Sequence, residues 1–196
     1  MTVLKYPHPV LKMTCRPLRK VDAELRKTIG EMFALMYETK GVGLAANQVG
    51  LPYRFFIMNP TGDSDKPEGE RVFINPEIRL GNGKPILDEE GCLSFPTIYA
   101  KALRAPKVVV QAYNLKGEPI AEEYKGFAAR IIQHEFDHLN GVAFVDRLDE
   151  DAFDNVVDDL DHLTQSFEKA RQNGDIPSDA EIQKEIDALL KLRAVL

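Results

Sequence analysis

His134-Glu135-Phe136-Asp137-His138 is the stretch whose reading decides the fold. Helical residues four apart share a face, with roughly 5 to 6 Å between their Cβ atoms, so a helix here aims His134 and His138 at one metal ion and sets Glu135 beside it. The surrounding residues supply that helix. From Phe127 to Leu139 the apolar residues Phe127, Ile131 and Ile132 recur at helical spacing, and Gly141 closes the run. A catalytic site needs a third protein donor and an open fourth position. Cys92, in Glu90-Gly91-Cys92-Leu93-Ser94, is the softest candidate donor.

Held by Cys92, His134 and His138, a divalent metal would keep the cysteine as thiolate in spite of the neighbouring Glu89 and Glu90. A water at the open position would lose its proton near neutrality and become a nucleophile. Glu135 is placed to take that proton and pass it to a departing amine, acting as base and then as acid. Attack creates an oxyanion, for which the backbone N–H of Leu93 and the side-chain amide of Gln48 are the nominated donors. The residues point to a metal-dependent hydrolase.

Two other readings of the same residues stay open at this point. A closed structural site would add a fourth protein donor, although such sites usually use more cysteines than the two present. A metalloprotease also uses His-Glu-x-x-His, and Gly141 matches the extended metzincin pattern, but Phe144 stands where a third histidine belongs. The glycine-rich Gly41-Val42-Gly43-Leu44-Ala45-Ala46-Asn47-Gln48 lacks the Gly-Lys-Ser/Thr of a phosphate loop, which argues against a nucleotide site. His8 and His162 have no partner at ligand spacing, and Cys15 reads as structural.

The 196 residues suit one core-forming domain with an appendage, and 44% hydrophobic content agrees. A net charge of -6 and a pI near 5.3 argue against a nucleic-acid substrate. Two cysteines make no disulfide framework, the amino terminus has no basic head before a long apolar run, and no stretch approaches the roughly 20 apolar residues of a membrane span. The expectation is a cytoplasmic protein with no membrane partner.

Val21 to Thr39 spaces Leu25, Ile29, Met32, Phe33 and Met36 as one helical face, with Asp22 as N-cap. Residues 54–58, 71–74 and 107–113 have the β-branched and aromatic content of strands, and Asn114-Leu115-Lys116-Gly117 reads as a hairpin turn into a second arm from Ile120 to Tyr124. Thr61 to Gly69 reads as a surface loop. Asp149 to Arg171 and Ser178 to Leu196 read as helices, with Ser178 and Glu181 forming a capping box. From Asp146 onward 14 acidic residues face 6 basic ones, so the acid is concentrated in this tail.

Gly41 to Gln48, Glu90 to Ser94 and Gln133 to His138 together resemble, in order, the three signature motifs of peptide deformylases. The opening Leu4-Lys5-Tyr6-Pro7-His8-Pro9-Val10-Leu11 and Asn140-Gly141 extend the similarity over roughly residues 3 to 148. The resemblance implies an α+β fold in which antiparallel strands surround a central metal-binding helix. It implies a catalytic domain over 1–148 and a helical C-terminal extension over 149–196, as in the bacterial class. It implies removal of the N-formyl group from the initiator methionine of nascent peptides, releasing formate, as N-terminal processing in protein biosynthesis. Cys92, His134 and His138 would be the ligands of one metal, most often Fe(II), with Zn, Ni or Co able to occupy the site. Glu135 would be the general acid/base, Gln48 and the Leu93 N–H would stabilise the oxyanion, and Val42, Gly43 and Gly91 would contact the peptide. Tyr99 stands where some bacterial members carry a basic residue near the peptide groove. Some members dock on the ribosome through a basic C-terminal helix. In this acidic tail only Lys184, Lys191 and Arg193 are basic near the end, and the matching expectation is a transient ribosome contact.

Overall fold

The structure is a computed structural model describing residues 1–195, so the predicted end of the last helix at Leu196 lies outside the described residues. Ala23–Glu38 forms α1, capped by the Asp22 carboxylate, which accepts from the Leu25 N–H at 3.0 Å. Seven strands follow: β1 (Gly43–Ala45), β2 (Phe55–Met58), β3 (Arg71–Leu80), β4 (Ile86–Cys92), β5 (Phe95–Arg104), β6 (Lys107–Tyr113) and β7 (Pro119–Lys125). Five of them make an antiparallel sheet in the order β1-β2-β3-β6-β7, and β4 and β5 pair as a separate ribbon. The remaining helices are α2 (Gly126–Leu139), α3 (Glu150–Asp154), α4 (Val157–Gln172) and α5 (Asp179–Arg193).

The sheet is covered on both faces, which is why the four residues of β2 are all buried. With a side-chain period of two, Phe55 and Ile57 pack among Leu25, Ile29, Met32 and Met36 of α1. Phe56 and Met58 pack on the other side with Phe73, Val108, Val110 and with Ala129, Ile131, Ile132 and Leu139 of α2. The polar side of α2 faces the β4–β5 ribbon, so the helix that carries His134 and His138 is central to the fold, as expected.

Several elements differ from the sequence reading. β3 continues past Ile74 to Leu80, because Asn75, at φ 51°, and Pro76 shift the register without ending the pairing with β6. The β4–β5 ribbon was not anticipated, since its inward side chains are charged: Glu90 and Arg104 are buried, while Leu87 and Leu103 opposite each other are exposed. That inverts the alternation from which strands are usually read. The helix expected from Asp149 to Arg171 breaks at Asn155-Val156, where Val156 turns into a cluster with Phe95, Phe144, Val145 and Leu160.

The tail is docked, not free. Ile182 and Ile186 of α5 cover Val10. Arg193 donates to Asp22 at 2.7 Å and also pairs with Glu24, and the Tyr53 hydroxyl donates to the Leu189 carbonyl at 2.8 Å. The Ser178–Glu181 capping box is present at the start of α5. Among the described residues, no helix is long and apolar enough to cross a membrane.

Candidate metal centre

α2 carries two of the donors and is held in place at its middle and at its carboxyl end. Near the middle, the Gln133 amide donates to the Ala105 and Ala129 carbonyls at 3.0 and 2.9 Å, and its oxygen accepts from the Ala105 N–H at 3.0 Å, tying the helix to the β5–β6 turn. At the carboxyl end, Gly141, at φ 73°, returns its N–H to the His138 carbonyl. A Cβ there would press into the backbone carbonyl of Lys12, so no side chain is accommodated. Asn47, fully buried, donates to the same His138 carbonyl at 2.6 Å and so links the first motif to the helix end.

The third donor arrives from the end of β4. Ligand atoms of Cys92, His134 and His138 lie within 4.8 Å of one another, and Cys92 Sγ is 3.2 Å from His138 Nε2. Among the described residues this is the one such group of three. The imidazoles meet at 78° with centroids 4.9 Å apart. One thiolate and two imidazoles form a donor set suited to a divalent transition metal, and the three converge without a fourth protein donor in the group. The residues therefore fit such an ion.

Glu135 stands beside them, 4% exposed, with Oε2 meeting no hydrogen-bond partner within the fold. Burial pushes its carboxyl up to about 7, against the pull of the neighbouring His134. The Gln48 amide nitrogen is 3.4 Å from Cys92 Sγ and 3.2 Å from Ser94 Oγ, while its oxygen accepts from the Ala45 N–H at 2.8 Å, which fixes the orientation of the amide. Val42, Gly43, Gly91, Leu93, His134 and Glu135 all line one cavity of about 590 Å³. His138 is buried and is not among the lining residues. The Tyr99 ring lines the same cavity close against Gly91 and is 63% exposed, so the position read as basic in some relatives carries an aromatic ring.

The structure gives Glu90 of the second motif a role that its sequence did not indicate, and adds Arg104 and Arg130. Glu90 accepts from Arg104 Nε and Nη2 at 2.8 and 2.9 Å and from Arg130 Nη1 at 2.7 Å, and its Oε2 lies 3.0 Å from His134 Nδ1. Burial opposes the charge on Glu90, but the guanidinium of Arg104 and the His134 ring more than offset it and hold the carboxyl below the usual carboxylate range. This pairing fixes which face His134 turns to the cavity. Phe144, which fills the place of a third histidine in the metzincin pattern, stacks on His134 at 6.1 Å and belongs to the core. Arg104 is fourteen residues from Glu90 along the chain, a contact readable only from the pairing of β4 with β5.

The family model of polypeptide deformylase matches residues 1–153. The peptide deformylase of Rhodopirellula baltica is 40% identical over 186 residues, covering 94% of this chain and 91% of its own length. Among solved structures, peptide deformylase of Plasmodium falciparum superposes with a TM-score of 0.83 at 36% identity, covering 86% of this chain and 98% of that one. Arabidopsis thaliana peptide deformylase 1B, solved with an inhibitor, does so with a TM-score of 0.83 at 36% identity over 91% and 97%. The donors at the centre of the fold, the absence of a third histidine at residue 144 and these likenesses lead to one assignment: the chain belongs to the polypeptide deformylase family, metal-dependent hydrolases that remove the N-formyl group from nascent peptides.

Proposed function

We propose that Glu135 moves the protons of deformylation in this chain, that Cys92, His134 and His138 hold one divalent cation, and that Gln48 and the Leu93 N–H receive the oxyanion. The observation that carries this reading is a buried Glu135 with Oε2 unpartnered, lining a cavity beside three convergent donors. When bound, the cation supplies Lewis-acid chemistry, acidifying water and polarising the formyl group. Glu135, with its carboxyl raised toward neutrality by burial, accepts a proton from the attacking water and delivers it to the amine that leaves. Gln48 is oriented by the Ala45 N–H, and its amide nitrogen, now 3.4 Å from Cys92 Sγ, turns a donor to the formyl oxygen as charge grows there. The cavity wall at Val42 and Gly43 on one side and Gly91 on the other offers backbone groups to an extended formyl-methionyl peptide.

Residues 1–148 would form the catalytic body and 149–196 the helical extension. Both cysteines are free, and a thiolate ligand persists in a reducing compartment, which supports work in the cytoplasm. A transient ribosome contact would fall to Lys184 and Lys191, since Arg193 is engaged with Asp22 and Glu24.

Glu135→Gln is the direct test. The variant should retain its metal and lose roughly 10²- to 10⁴-fold in formate release from formyl-Met-Ala-Ser. Undiminished turnover in a metal-loaded Glu135→Gln protein would remove Glu135 from the reaction.

A further inference from the structure

An unbroken line of charge-assisted hydrogen bonds runs from the metal-facing His134 to the root of the C-terminal extension. His134 Nδ1 meets Glu90 Oε2, and Glu90 is gripped by the two-pronged guanidinium of Arg104. The remaining prong, Arg104 Nη1, donates to Asp137 Oδ2 at 2.5 Å. Asp137 is then clamped bidentately by Arg147, with Nε to Oδ2 at 2.6 Å and Nη2 to Oδ1 at 2.5 Å. Every member except Arg147 is at least nine-tenths buried, and Arg147, 44% exposed, closes the line at the surface.

Arg147 ends the short turn Phe144–Arg147, two residues before the Asp149 cap of α3. The same turn carries Phe144, whose ring stacks on His134 and meets Phe95 edge-on at 5.5 Å. Val156 and Leu160 of the extension pack on that turn from outside. Two separate contacts, one ionic and one aromatic, therefore connect the place where the extension leaves the body with the same imidazole.

We propose that Arg147 is a positioning residue for the metal centre, holding His134 in its ligating orientation through Asp137, Arg104 and Glu90, from the turn on which the C-terminal extension packs. The inference rests on the reading of Cys92, His134 and His138 as ligands. Losing the Arg147 fork leaves the Asp137 carboxylate with one partner, Arg104, which is then free to swing toward it and away from Glu90. A lysine at 147 keeps the charge but only as a point donor, without the fork.

The test uses the full-length protein loaded with cobalt(II), and compares native, Arg147→Lys and Arg147→Ala. The readouts are the rate of cobalt release to excess chelator, the thiolate-to-cobalt absorption band, the melting temperature of the metal-free protein, and kcat and KM for formyl-Met-Ala-Ser. Release should quicken about tenfold in Arg147→Ala and less in Arg147→Lys, with kcat reduced and KM nearly unchanged. A purely structural role would lower the melting temperatures and leave release rates and the absorption band alike in all three, which overturns the proposal. Native protein that takes up cobalt without any thiolate band would instead overturn the ligand reading beneath it. If Arg147→Ala fails to fold, Arg147→Lys alone decides, since equal release from it and from native protein refutes the positioning role.

Discussion

Replacing Gly43 with alanine puts a methyl group where the structure has no room for one. The added Cβ would lie inside contact distance of Glu135 Oε1 and only 2.9 Å from both Glu135 Cδ and Ile131 Cγ2. Ordinary carbon contacts are about 3.5 to 4.0 Å, so the carboxyl group must retreat by roughly 0.6 to 1.1 Å. Ile131 is buried in the core and β1 is held to β2 through the Gly43–Met58 pairing, so Ile131 must shift as well and its movement cannot spare Glu135. A displacement of about 1 Å at a reacting group can cost about 10²-fold in rate. Overpacking at this site should also lower stability by about 1 to 3 kcal/mol. The donors Cys92, His134 and His138 lie outside the clash, and metal content should hold at one per chain. The assay is formate release from formyl-Met-Ala-Ser at matched metal loading, with thermal unfolding in parallel. Gly43→Ala protein that turns over within about threefold of native would show that the Glu135 position does not set the rate, and the argument from this contact would fall.

Docking of the extension should depend on acidity in a known direction. Burial, then Arg171, depresses the His8 pKa below its ordinary value, and His8 meets Phe167 of α4 edge-on, so this contact is complete above about pH 6.5 and weakens as pH falls through the depressed value. Arg193 and the Leu25 N–H hold the Asp22 carboxyl below the usual range, so that pairing survives mild acid and is lost only below the carboxylate range. Hydrogen-exchange protection of α4 and α5 should be flat from pH 7 to 8 and decline below it in that order; protection that rises on acidification would contradict the assignment. Anaerobically purified protein should contain about one iron per chain, with elemental analysis as the check, and stoichiometric zinc with no iron would overturn the Fe(II) expectation.

What could be read from the chain alone followed from regular patterns. The apolar face of α1, its Asp22 cap, β6, the hairpin into β7 and the Ser178 capping box each repeat a local rule, and each is present. The three convergent candidate donors were legible because two histidines four apart on a helix share a face and Cys92 follows a glycine. The β4–β5 ribbon was hidden because its buried face is ionic, with Glu90 satisfied by Arg104 and Arg130, partners distant in sequence. β1 is three residues long, too short for any period to register. Phe144 shows the same limit in reverse: the sequence marks it only as a histidine that is missing, whereas in the fold it is the ring against which His134 rests.

X-ray absorption at the metal edge of the loaded, full-length protein tests the coordination directly. One sulfur near 2.3 Å and two imidazole nitrogens near 2.0 to 2.1 Å, with the remaining scatterers light and exchangeable, is the expected first shell. A shell without sulfur, or one completed by a further protein donor that displaces solvent, would contradict the account.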